Sequence, residues 1–416
     1  MLRNKDILEI KRRMKKDSCT ITRMCGCYVN AEKEKVMKLD ENFLNLDDEE
    51  FYKYLEIVKK AISGTIGNNL LDVKFQKEEQ NNGGKQQYFL GLRESGLRNQ
   101  ELLDILYDSI IENYDYVGNY LILVFHDAYD VITKTKDDLK LDESEEVFTY
   151  MICAICPVNL SKPGLGYREA ENRIGVRIQD WVVGVPDVGF MYPSFIERST
   201  DVNVITYYVK DAKESHPDFI EEVLGCEAKR TATEEKNTFE DIVKTAIAPI
   251  IEKSDEVMLE LQEQLQNEVE EKQEAEEGLV IGEAEELCLD RETVGKVLKS
   301  LDIPDVAVRN IQERLEEEFS DKAPAVEHLY DEKVIEKKNK EKKELKLLEE
   351  IAELKSELAE AKSGKEDDVR NLENSISVRT GANTEDIDFR IIDGKKYLMI
   401  AVQDEIVLVN GMLKED

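Results

Sequence analysis

The stretch YLILVF at 120–125 and its counterpart YMICAICPV at 150–158 decide the architecture. Tyr150 to Cys156 is the longest unbroken apolar run, seven residues. That is the length of a strand, and well short of the roughly 18 residues that cross a bilayer. Strands covered on both faces read as continuous apolar runs rather than alternating ones. Both stretches are therefore expected at the centre of a sheet. The segment between them is acidic and shows no clear helical stripe, whereas a parallel crossover usually contains a helix. Antiparallel pairing through a long loop is the expected connection.

Working outward, Val202 to Val209 alternates and supplies a third strand, and Cys19 to Val29 is β-rich. Ile7 to Met14 is amphipathic. Asp47 to Glu50 opens a helix, with acids where the dipole favours them. Phe51, Tyr54, Leu55, Val58 and Ile62 form its apolar face. A second helix is expected from about Asn99 to Tyr114, and a short closing one at 216–224, with Pro217 in its first turn.

The chain has 416 residues, with 57 Lys/Arg against 91 Asp/Glu and a net charge of −34. At roughly 150 residues per domain the length suggests about three domains. The first 100 residues carry 19 basic against 16 acidic side chains, residues 101–150 carry 3 against 13, and residues 251–300 carry 5 against 16. Composition shifts near residue 230, which marks the main expected boundary. The expected organisation is α+β: a mixed-sheet domain at 1–230, an acidic helical region at 231–325, a Lys/Glu-rich helical linker or short coiled coil at 326–370, and a small β-meander at 371–416. In the helical part, residues 238–275 read as one long helix, with a break at Pro249, and 290–320 as a helical hairpin with Val308, Ile311, Leu315 and Phe319 inside. Leu347, Ile351, Leu354, Leu358 and Ala361 repeat at 4, 3, 4 and 3, an a/d seam of about two heptads. A solvated helix and a self- or partner-pairing seam within 331–362 are both open. At the end, Ile387 to Ile392, Asp393-Gly394 and Tyr397 to Val402 form a hairpin signal, and Ile406 to Val409 a third strand.

Five strings together resemble a known family. They are CTITRMCGCYV at 19–29, SGTIGNNL at 63–70, YDYVGNYLILVFHDAYD at 114–130, ICPVNLSKPGLGY at 155–167 and PDVGFMYPSFIERSTD at 186–201. They are similar to an uncharacterised family of Firmicute-type bacterial proteins, domain of unknown function 4317. The resemblance covers most of the first 230 residues, and more loosely 290–320 and the closing FRIIDGKKYLMIAV. It implies a cytoplasmic bacterial protein without an assigned activity.

Four constellations can carry chemistry. Cys25 and Cys27, with Cys153 and Cys156, offer thiolates to zinc. In a strand, however, residues three apart point to opposite faces, so Cys153 and Cys156 diverge. Buried small apolar side chains are the plainer reading, and no cofactor is expected. His126, Asp127 and Asp130 follow an apolar strand and can hold a divalent ion or exchange protons, or simply form a turn. The loop with Lys162, Gly164, Gly166 and Arg168 can neutralise an anion, though it lacks the Walker and dinucleotide patterns, or can be an ordinary exposed crossover loop. Trp181, Phe190, Tyr192 and Phe195 form the densest aromatic region, either core or a partner surface.

The acidic charge argues against DNA, whose phosphates would repel it. Glu313, Glu316, Glu317 and Glu318 also make the second helix of the 290–320 hairpin a poor recognition helix. No membrane span or signal peptide is read. The expected function is a non-enzymatic cytoplasmic interaction or regulatory protein. One alternative is an enzyme with a cleft between His126 and the Lys162–Arg168 loop. Another is an RNA- or ribosome-associated factor, resting on the basic first 30 residues.

Overall fold

A computed structural model describes residues 2–134, 140–249, 254–276, 287–289, 291–301, 303–319 and 323–363, together with five short C-terminal strands. The chain divides into two compact units, Met1–Ile335 and Glu336–Asp416.

The first unit is built on an eight-stranded sheet. Its strands are β1 (Arg23–Val29), β2 (Lys35–Asn42), β3 (Leu70–Lys74), β4 (Asn119–Lys134), β5 (Lys140–Leu160), β8 (Trp181–Val183), β9 (Val188–Tyr192) and β12 (Val204–Val209). The order is β2-β1-β4-β5-β9-β12-β3, with β8 also on β5. Every pairing between these strands is antiparallel. The hairpin β6 (Leu165–Arg168) and β7 (Arg173–Val176) stands apart from the sheet, and β10 (Ser194–Ile196) pairs with β11 (Ser199–Asp201).

The apolar run of β5 lies at the centre, as its composition demands. Met151, Cys153 and Ile155 point into one core and Ile152, Ala154 and Cys156 into the other. Helices α1 (Asn4–Arg13) and α2 (Asp48–Lys60) cover one face through Ile10, Phe51, Leu55 and Val58. Helices α3 (Lys85–Glu94) and α4 (Gln100–Asn113) cover the other through Phe89, Leu92, Leu103 and Leu106, joined by a π-helical turn at Phe219–Val223. The result is an α/β/α sandwich around an antiparallel sheet.

The connection between the central strands is not a long loop. β4 runs to Lys134 and β5 starts at Lys140, paired from Asn119↔Val158 to Lys134↔Lys140. The acidic segment thus extends the two strands as a ribbon beyond β1, whose pairing with β4 stops at His126. Such a ribbon has no sheet neighbours to demand apolar side chains, so its composition concealed it.

Near residue 230 the apolar cores separate but the packing continues. Thr231 caps α5 (Ala232–Ile247) in a capping box with Glu234. α5 ends ahead of Pro249, and α6 (Ser254–Glu276), α7 (Arg291–Ser300) and α8 (Asp305–Phe319) complete a bundle with its own core, including Val308, Ile311, Leu315 and Phe319. Contacts such as Arg230–Glu318 at 2.8 Å and Thr233 N–H to Asn68 Oδ1 at 2.9 Å tie the bundle to the sheet region.

Helix α9 (Glu332–Ser363) starts in the first unit, where Ile335 is buried. Its seam residues Leu347, Ile351 and Leu354 are exposed. Limited trypsin digestion is expected to cut first among the exposed lysines of α9, such as Lys337 and Lys340, leaving a stable fragment that ends near residue 335. Earlier cutting between 225 and 235, followed by mass spectrometry, would instead show the bundle to be independently mobile.

In the second unit β14 (Ile387–Ile392) pairs with β15 (Lys395–Ile400). The turn at 393–394 lies outside the described residues. The expected third strand does not join this hairpin. β16 (Val407–Val409) pairs with β13 (Val378–Arg379) and β17 (Met412–Lys414), so the single meander becomes two small sheets. A strand of three residues pairs with whichever edge its flanking segments reach, and local sequence does not specify that edge.

Candidate interaction surface

Cys25, Cys27 and Cys153 share one core while Cys156 lies in the other, so the divergence expected from strand alternation holds. Register sets Val124 between Cys25 and Cys153. Burial pushes the thiols of Cys25 and Cys27 up to about 11 and that of Cys156 up to about 12. They therefore stay protonated at neutral pH and pack as small apolar groups. Among the described residues no group of three or more His, Cys, Asp or Glu is arranged to hold a metal.

His126 and Asp127 are not in a turn. They sit within β4, opposite Met151 and Tyr150, and as neighbours in a strand they face opposite sides. His126 Nδ1 lies 3.0 Å from Thr22 Oγ1, and burial lowers its pKa. Asp127 is buried and accepts hydrogen bonds from the Tyr150 hydroxyl and, at 2.8 Å, the Ala128 N–H. Burial raises its pKa, and bonds from Thr20, Tyr150 and Ala128 oppose the rise. Asp130 pairs with Val147 farther along the ribbon.

Tyr150→Phe is expected to cost about 1–3 kcal/mol, because it leaves a buried carboxylate oxygen without its donor. An acid whose folded pKa is raised binds more protons folded than unfolded. Its folded state therefore loses stability as pH rises through that window. Losing the hydroxyl raises the folded pKa further, so the destabilisation is expected to be larger at pH 7 than at pH 4. Urea unfolding of both proteins at the two pH values checks this.

Lys162 and Gly164 follow the end of β5, Gly166 and Arg168 lie in β6, and none of them meets His126. The rung His126↔Met151 and the end of β5 at Leu160 are separated along the strand by about 30 Å, at ~3.3 Å per residue. Arg168 is engaged within its own hairpin, donating from Nη2 to Val176 O at 2.8 Å and pairing with Glu171. The shared cleft of the enzyme alternative does not form.

The aromatic group splits. Phe190, Tyr192 and Phe195 are completely buried, which removes them from any partner surface. β9 lies between β5 and β12 in the sheet, and helices cover both of its faces: Phe190 and Tyr192 join the core under α3 and α4, and Met191 the core under α1 and α2. Trp181 is the opposite case, 57% exposed on β8. It belongs to an arm at 160–185 that contains the Lys162–Arg168 segment and the β6–β7 hairpin. Leu165 pairs with Val176 and Tyr167 with Ile174, so these four apolar side chains share one face of the β6–β7 hairpin. All four are exposed, and Ile178 beyond them is 75% exposed. The available signal was alternation: apolar at 165, 167, 174 and 176, with Gly or Arg between.

Beside the arm lies a groove of about 930 Å³. Helix α2 buries Phe51, Leu55 and Val58 against the sheet, which leaves Tyr52, Tyr54 and Ile57 along one wall. The opposite wall is Val183 to Pro186, where the chain leaves β8 and rejoins β5 through Asp187 N–H to Ile155 O at 2.9 Å. Gly184 permits this: a Cβ there would stand 3.2 Å from the Pro157 carbonyl oxygen. Glu49, Glu50 and Glu56 rim the groove, with Lys53 and Lys60. A second concavity of about 710 Å³ lies between β3 and the bundle. Within it Arg230 pairs with Glu318 and, at 2.6 Å, His328 Nδ1 with Glu235.

A domain of unknown function, DUF4317, matches residues 2–412. The chain belongs to that family. No curated protein matches it. No helix among the described residues is long and apolar enough to cross a membrane. The DUF4317 chain thus holds the buried Asp127–Tyr150 pair within its sheet and presents an exposed apolar face on the arm beside the groove.

Proposed function

We propose that this DUF4317 protein is a non-enzymatic interaction or regulatory protein, and that its working surface is the arm at 160–185 with the adjoining groove. One observation carries the reading: the exposed apolar face of the arm, continued by Ile178 and Trp181. Single-chain proteins rarely expose contiguous apolar patches beyond a few hundred Å² unless a partner uses them. Trp and Tyr are the residues that concentrate at interface cores. The distance between His126 and Lys162 supports the same reading, since it leaves the polar clusters as separate local features.

A photo-reactive amino acid placed at position 181 in the full-length protein tests this in cells. The expected result is one or a few discrete adducts, absent when the same group replaces Glu32, which is exposed on the β1–β2 turn. A smear identical for both positions, or no adduct at 181, would overturn the reading.

A further inference from the structure

Helix α9 carries an interaction surface of its own, independent of the arm. We propose that residues 347–362 of α9 pair with the same residues of a second copy of this chain, as a short parallel coiled coil in register.

The seam is open on the single chain. Leu347 is 57%, Ile351 46% and Leu354 58% exposed. They follow one another at 4 and 3 residues, and in the sequence Leu358 and Ala361 continue that spacing toward the end of the helix at Ser363. This is the a/d period of a supercoil, narrower than the stripe of a helix that packs on a globular core. Glu344 and Lys340 occupy the preceding a and d positions, so the seam is confined to about two heptads. Two free heptads are marginal because a helix is costly to start. Here the start is already fixed: Asp331 Oδ1 accepts the Lys333 N–H at 3.1 Å, and Ile335 is buried. A second chain therefore meets a helix that is already formed.

Two features identify the partner and its direction. With Leu347 and Leu354 at d, Ile351 falls at a, and a β-branched residue at a with leucine at d favours two parallel strands. The flanking charges agree. Glu350 and Glu357 fall at g, and Lys355 and Lys362 fall at e. In a parallel pair in register, g of one helix faces the following e of the other. Glu350 then meets Lys355 and Glu357 meets Lys362, and two-fold symmetry repeats both contacts. An antiparallel pair would set g against g and e against e, glutamate on glutamate and lysine on lysine.

These charges have little to pair with along their own helix. Within α9, Lys355, Glu357 and Lys362 have no opposite charge three or four residues away. Glu350 has only Lys346, in the less favourable order of lysine before glutamate. A like chain in parallel register supplies the missing partner at every one of these positions.

Sedimentation equilibrium of the full chain in low salt tests the proposal. Two heptads bury less than a standard interface, so the expected result is a mass that climbs toward twice that of the chain over about 10 to 300 µM. Ile351→Asp with Leu354→Asp is expected to abolish the rise, and both positions are exposed in the single chain, so folding is spared. Glu350→Lys with Glu357→Lys, or Lys355→Glu with Lys362→Glu, should each weaken the dimer about 10-fold. All four reversals in one chain should restore it, a rescue that misfolded variants cannot give. Direction is read by disulfide trapping in a Cys288→Ser background, which removes the exposed native thiol. Leu354→Cys should form a covalent dimer in air, because d faces d in parallel register, and Ser356→Cys at the outward f position should not. A parent that stays monomeric, a dimer indifferent to the seam substitutions, a failed rescue, or equal trapping at 354 and 356 would overturn the parallel pair. The arm is tested separately, by crosslinking at position 181, which Ile351→Asp with Leu354→Asp should leave unchanged.

Discussion

Gly189→Val is expected to prevent the sheet from closing, with a loss at or above the roughly 3 kcal/mol upper range of overpacking. Gly189 lies in β9, opposite Ala154 of β5 and Tyr208 of β12. A Cβ there would stand 2.7 Å from the Cys153 carbonyl oxygen and 3.3 Å from the Ala61 Cβ. The first neighbour is backbone within a central strand pair, so it cannot rotate away. The second lies just past the end of α2, which Phe51, Leu55 and Val58 hold against the sheet. Relief requires parting β9 from β5 or lifting α2. Gly189→Ala is expected to show a milder loss of the same kind. Urea unfolding followed by far-UV circular dichroism, with soluble yield for the valine variant, measures both. A valine variant as stable as the parent would mean that β9 does not sit against β5 in this register.

Phe190→Ala, the next residue, is expected to cost about 3–5 kcal/mol. The Phe190 side chain is fully buried between Cys153 on β5 and Tyr207 on β12. Its ring meets Phe89 of α3 edge-on, with centroids 5.6 Å apart. Removing it opens a cavity among Phe89, Tyr192 and Cys153, and rigid strands cannot collapse into such a space. Trp181→Ala serves as the contrast, because an exposed side chain contributes little to folding. Its unfolding midpoint is expected within about 0.5 kcal/mol of the parent. A reversed order would show that the aromatic group had been divided wrongly between core and surface.

That division shows what sequence reading reaches. The strings at 150–158 and 120–125 disclosed buried central strands because burial on both faces leaves no polar position to blur the signal. The missing helical stripe at 136–149 pointed to antiparallel pairing, which the register bears out. The faces of Cys153 and Cys156 followed from alternation alone. The helices at 48–60 and 100–113, the break before Pro249 and the 291–319 hairpin followed from periodicity, acids in first turns and proline chemistry.

Other features needed the folded chain. Strand β3 and helix α3 carried no clear signal, because each takes its partner from far along the sequence, β3 from β12 and α3 from Phe190. His126 and Asp127 looked like turn residues since the ribbon beyond β1 has no apolar signature. Phe190, Tyr192 and Phe195 could not be told from Trp181 by composition, because the same residue types serve cores and interfaces.

The sequence by itself determined the central strands, their antiparallel order and the opposed cysteine faces. Each of these depends on periods of two or 3.6 residues along the chain. Only the tertiary structure decided which aromatic side chains are covered, that the polar clusters stand about 30 Å apart, at ~3.3 Å per strand residue, and that the arm's apolar face lies open beside a groove. Those depend on which distant segments cover a surface, and local pattern carries no record of that.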